Sequence, residues 1–155
     1  MAKRRKKGKN PDVPAKGRMR DIADDLWSLA VKEDWAWGCA ICGRKHSLNS
    51  HHLVPRQHEG ARFDLANGIC LCKSCHQFCP KHSPHQHGEG FKQWLAARHP
   101  NVAQWLEENA HPQFDGTKNE PYYCDVIRSL KQYVEPEDYE RIVGINFSRW
   151  LEEND

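Results

Sequence analysis

The sequence predicts an α+β fold: a small β-hairpin braced by a four-cysteine metal site and flanked by α-helices. Three observations carry this expectation. Two Cys-x-x-Cys pairs, Cys39/Cys42 and Cys72/Cys75, have the spacing of metal-binding knuckles. Between them lie two short strand-like runs, Leu48 to Val54 and Gly68 to Cys72, separated by a polar loop containing Pro55, Gly60 and Asn67. On both sides apolar residues recur at helical spacing.

The metal site answers a need of the composition. Of 155 residues only 38% are hydrophobic, and mean hydropathy is −0.89, so an apolar core alone would be small for this length. Seven cysteines, an odd number with two knuckle spacings, read as metal ligands and not as a disulfide framework. Two knuckles together supply four thiolates, the set of a closed structural Zn2+ site. No run approaches the length of a membrane span, and no signal-peptide pattern follows the N-terminal charges. The expectation is a soluble protein without membrane contact, in a reducing, cytoplasmic setting.

The formal charge of +2 hides a gradient. Residues 1–20 carry a net +8, residues 21–100 a net +1 and residues 101–155 a net −7. The arm, residues 1–19, has basic runs and no apolar face, so it is expected to be disordered when free and attracted to phosphates. Residues 20–99 are expected to form the core and 100–155 an acidic helical region that docks on the core, meets a protein partner or restrains activity.

Helices are expected over Arg20–Glu33, Phe91–His99, Asn101–Asn109, Pro121–Val134 and Pro136–Glu153, with Pro100 dividing one pair and Gly144 a point of interruption in the last. The pentapeptide Trp-Leu-Glu-Glu-Asn stands at 105–109 and again at 150–154. It reads as two helix ends with one amphipathic solution, and Trp94, Trp105 and Trp150 as core residues. Pro80 and Pro84 shorten any helix after Cys75 and leave a His-rich connection. Cys70 and Cys124 read as small buried residues.

Histidines fill the segment clamped by the knuckles. Ser50-His51-His52-Leu53-Val54-Pro55-Arg56, then Asn67 five residues before Cys72, then Cys75-His76 occur in that order. The pieces His51-His52-Leu53-Val54-Pro55-Arg56, Arg62 to Cys72 and Cys75-His76 resemble an HNH endonuclease, and more narrowly the zinc-knuckled HNH proteins of phages and prophages. The resemblance covers about Trp27 to Leu95.

The resemblance implies a ββα-metal (His-Me finger) core that hydrolyses DNA phosphodiester bonds, leaving 5′-phosphate and 3′-hydroxyl ends. By position in the motif, His52 matches the general base, His51 and His76 match ligands of one divalent cation, and Asn67 matches the residue that ties the loop or, in some relatives, reaches the metal. A phage-encoded protein of this kind would act in the host-cell cytoplasm. The chemistry is consistent: hydrolysis needs a base for water and a cation for the charge on phosphorus. Neighbouring strand residues face opposite ways, so His51 and His52 are expected to have different roles.

At the place of a second helix histidine in many relatives this sequence has Pro80. Of His82, His85 and His87, His82 is placed first as the substitute ligand, because Lys81-His82-Ser83-Pro84 looks like the displaced ending. Arg56 is a phosphate clamp or a partner of Asp64. The cation is Mg2+, Mn2+, Ni2+ or Zn2+; imidazole ligands favour the last three and substrate oxygens suit the first. The competing function is a zinc-stabilised DNA-binding module without catalysis.

Overall fold

The structure, a computed structural model, describes residues 10–155. Residues 1–9, the first half of the expected basic arm of residues 1–19, lie outside the described residues. The first helix, α1, spans Lys16–Asp34, beginning inside the stretch assigned to the arm. Met19 explains the early start: it lies one turn before Ile22 and is fully buried.

Helix α1 is followed by β1 (Leu48–His52), a one-turn helix α2 (Glu59–Arg62), β2 (Gly68–Cys72) and a short helix α3 (Lys73–Gln77). The strands pair antiparallel, with Leu48 opposite Cys72 and His52 opposite Gly68. The expected strand to Val54 stops at His52, because only the Leu53 amide still pairs across, to the Asn67 carbonyl at 2.9 Å. Beyond it Val54 is held by a side chain.

Helix α1 lies against the strands. At Gly68 the approach is so close that a Cβ would run into Val31 and come within 3.1 Å of the Trp27 ring. The Trp35 indole fixes the crossing by donating to the Gly68 carbonyl at 3.1 Å. Ile69 and Leu71 belong to a second cluster with Phe91 and Leu95 of α4 (Gly88–Arg98). Helix α5 follows at Pro100–Glu108, with Pro100 in its first turn.

Helices α6 (Glu120–Leu130), α7 (Pro136–Val143) and α8 (Ile145–Glu153) form the main core with α1. Tyr123, Cys124, Ile127 and Leu130 share one buried cluster with Ile22 and Leu26. The long final helix is broken at Gly144, whose φ of +88° suits glycine. Both copies of the pentapeptide do end helices. Asn109 and Asn154 each donate from Nδ2 to the carbonyl of the Trp four residues earlier, at 2.8 Å in both cases. Trp94, Trp105 and Trp150 are only half-buried, Trp94 and Trp150 at the margins of the clusters and Trp105 in neither of them. The tryptophan of the core is Trp27.

Among the described residues no helix is long and apolar enough to cross a membrane.

Candidate metal centres and active site

The first knuckle forms where α1 ends. Gly43, with φ +74°, lets the chain double back. Its amide donates to the Cys39 carbonyl at 2.8 Å, and the Cys39 amide donates to Arg44 at 2.9 Å. The second knuckle is the step from β2 into α3, and an Ala40 amide bond to the Cys70 carbonyl at 2.8 Å ties the two together. The sulfurs of Cys39, Cys42, Cys72 and Cys75 thus lie within 4.8 Å of one another.

Burial raises the thiols of Cys42 and Cys75, and neighbouring sulfurs raise Cys75 further. At Cys39 burial also raises the pKa, but amides of Cys72, Cys42 and Ile41 outweigh it and bring the thiol to about 7. Four sulfurs this close together make a complete tetrahedral ligand set for one cation. This closed all-sulfur set fits zinc. Cys70 is buried on β2 outside the four, and Cys124 is in the α1/α6 core.

A second cluster lies on the hairpin. His51 Nδ1 is 3.0 Å from His76 Nε2, and His76 Nε2 is 3.0 Å from His85 Nε2. Strand β1, helix α3 and the loop before α4 each supply one imidazole. Burial, then the nearby His76 and His85, depresses the His51 pKa to about 3, so its ring is neutral and able to ligate. His85 is exposed, leaving one side of the cluster open. Three imidazoles with an open side fit a borderline divalent cation with room for water or substrate oxygen.

The third imidazole is therefore His85 and not His82. The His82 ring packs 6.3 Å from Trp94, beside Ala40 and Ile41 of the first knuckle. The difference comes from Ser83. It is completely buried; its hydroxyl donates to the His76 carbonyl at 2.9 Å and accepts from the Gln86 amide at 3.3 Å. This clasp turns His85 towards α3. An irregular insertion has no periodicity, so spacing alone did not single out Ser83 or choose among the histidines.

His52 faces the other way. Its ring stacks on Trp27, with centroids 3.7 Å apart, and its Nε2 is 3.0 Å from the Arg62 carbonyl. An N–H donating there leaves Nδ1 as the free acceptor. Burial is the main cause of a lowered His52 pKa, and it outweighs the opposing effects of the Arg62 carbonyl and Asp24. The neutral imidazole is the form a base requires.

The loop between the strands is fixed from within. Asn67 is fully buried; Oδ1 accepts from the Val54 amide at 2.6 Å, and Nδ2 donates to the carbonyls of Val54 (3.0 Å) and Ala61 (2.9 Å). Arg62 forms a two-pronged pair with Asp24 of α1, at 2.6 and 2.9 Å, and donates to the Arg56 carbonyl at 3.2 Å. The Arg56 side chain is exposed. Asp64 accepts from the Ala66 amide at 2.9 Å and has no ion pair with Arg56 among the described residues.

The model of the HNH endonuclease family matches residues 39–78, a span that includes both knuckles, His51, His52, Asn67 and His76. Anaredoxin of Nostoc sp. is 40% identical over 47 residues, which is 30% of this chain and 60% of that protein's length. No solved structure matches the chain. The segment 39–78, which forms the knuckles and the hairpin between them, is thus similar to the HNH endonuclease family.

Proposed function

We propose that this protein is a metal-dependent DNA endonuclease that hydrolyses phosphodiester bonds, with His52 as general base and one divalent cation held by His51, His76 and His85. One observation carries the reading: adjacent strand residues send one imidazole into a three-nitrogen cluster and the other onto a separately oriented, neutral ring.

The residues divide the work as follows. The Arg62 carbonyl holds the Nε2 proton of His52, so Nδ1 takes a proton from the water that attacks phosphorus while the P–O3′ bond breaks. Asn67 holds the loop that carries this carbonyl. The exposed Arg56 guanidinium offers a fork for a phosphate of the DNA. A divalent cation, Mg2+, Mn2+, Ni2+ or Zn2+, supplies Lewis-acid stabilisation of charge on the phosphate when bound. Cys39, Cys42, Cys72 and Cys75 hold a structural Zn2+ that clamps the base of the hairpin. Residues 20–99 form the nuclease unit, the basic arm adds attraction for DNA, and a thiol-rich zinc site suits the reducing cytoplasm.

Supercoiled plasmid tests the reading. Purified protein with one of these ions should convert it to nicked or linear DNA. If DNA is bound under every ion and never cut, the protein is a zinc-braced binding module.

A further inference from the structure

Beside the loop that orients His52 lies a small polar cavity of about 240 Å3, lined by Lys16, Arg20, Glu59, Arg62, Lys118 and Tyr123. Three separate segments bring these charges together. Lys16 and Arg20 come from the first turns of α1, Glu59 and Arg62 from α2, and Lys118 from the connection before α6. That connection is seated on α2 at Gly60, where a Cβ would overlap the Gln113 carbonyl.

The cations are not equivalent. Arg62 is balanced inside the fold by Asp24 at 2.6 Å and by the buried Glu59 at 4.0 Å. Arg20 has only an exposed contact with Asp21 at 3.5 Å, a type of pair worth little in water. Lys16 and Lys118 have no ion pair among the described residues. In the acidic C-terminal region, Arg128, Lys131 and Arg141 are each paired with a carboxylate. Lys118 and Arg149 have no ion pair among the described residues, and of the two Lys118 lines the cavity with Arg62.

We propose that this cavity binds a backbone phosphate of the DNA, so that Lys16, Arg20 and Lys118 hold the strand next to the loop carrying the Arg62 carbonyl. The inference rests on the nuclease reading for the identity of the polyanion. The ligand is a phosphate and not a base, because the rim is cationic and Tyr123, the aromatic side chain of the lining, is buried and offers no stacking face. Helix α1 also opens here without a side-chain cap, and its positive end adds to the attraction. The site thus takes two cations from the first turns of α1, and the C-terminal region contributes a third despite its net negative charge.

The test is binding of the full chain to a labelled 20-base-pair duplex, measured by fluorescence anisotropy at several KCl concentrations without added divalent cation. The triple variant Lys16→Gln/Arg20→Gln/Lys118→Gln should bind at least tenfold more weakly than the parent. Its log Kd should depend less steeply on log salt, by about one to two contacts' worth. Arg149→Gln, at an exposed position of α8, should leave affinity and slope unchanged. Thermal melting checks that all three proteins are folded. Equal affinity and slope for parent and triple variant, or an equal loss in Arg149→Gln, would overturn the phosphate site, as would a parent that does not bind the duplex. If the triple variant loses binding as expected while the parent cuts no DNA under any ion, the phosphate site stands and the nuclease reading falls.

Discussion

The indole of Trp27 lies flat on the imidazole of His52, with centroids 3.7 Å apart and planes 10° from parallel. The contact joins the helical core to the hairpin at the ring proposed to transfer the proton. Trp27 belongs to the α1/α6 cluster, and its Nε1 donates to the Asp64 carbonyl at 2.9 Å. One side chain thus holds both the face of His52 and the loop that carries the Arg62 carbonyl.

Trp27→Phe keeps an apolar ring but removes the bond to Asp64. The expected stability loss is about 1 to 2 kcal/mol, read by urea unfolding. If the stack positions His52, kcat should fall about tenfold with KM little changed. A variant that loses stability while keeping full kcat would make Trp27 a core residue only.

Asn67→Ala leaves three backbone groups around a buried site without partners. Unmade buried hydrogen bonds cost about 1 to 3 kcal/mol each, so a loss of roughly 3 kcal/mol or more is expected in denaturant unfolding. Asn67→Asp should not restore it, because a carboxylate cannot donate to the carbonyls of Val54 and Ala61. Recovery in the Asp variant would contradict the loop-tying role.

The identity of the third imidazole is open to direct measurement. His85→Ala should weaken Ni2+ or Mn2+ binding to zinc-loaded protein by at least tenfold in calorimetry, and His82→Ala should leave it unchanged. The reverse ranking would return His82 to the site.

The four-cysteine cluster should hold one zinc per chain by native mass spectrometry. Cys42→Ser should release it and lower the melting temperature. The damage should fall on the cluster that contains Cys39, Cys72, Cys75, Ile69 and Leu95. Hydrogen exchange should therefore rise in β2 and α4 before it rises in α1 and α6. Uniform exchange across both clusters would show that the knuckles do not brace the hairpin specifically.

The elements were legible where a periodicity or punctuating residue marked them. Gly68 to Cys72 is the strand that its short apolar run after a polar loop suggests, Pro100 begins α5, and Gly144 divides α7 from α8. The cysteine pairs were legible from spacing because a knuckle is a local structure. What could not be read depends on contacts between distant residues. Trp27 reaches His52 across 25 positions, through a packing angle that Gly68 permits. The choice of His85 over His82 depends on a buried serine in a loop without periodicity. Half-burial of Trp94 and Trp150 follows from where their helices meet the margins of the clusters, Trp105 joins neither cluster, and amphipathic spacing alone does not specify that depth.

The most direct test of the account is the single-turnover rate of plasmid cleavage by His52→Ala against the parent, at saturating Mn2+. Zinc content, Mn2+ affinity and DNA affinity are measured on the same samples. Loss of the general base should reduce the rate by about a hundredfold or more, while all three binding properties remain those of the parent. Cleavage by His52→Ala at the parent's rate would contradict the assignment of His52 as the base.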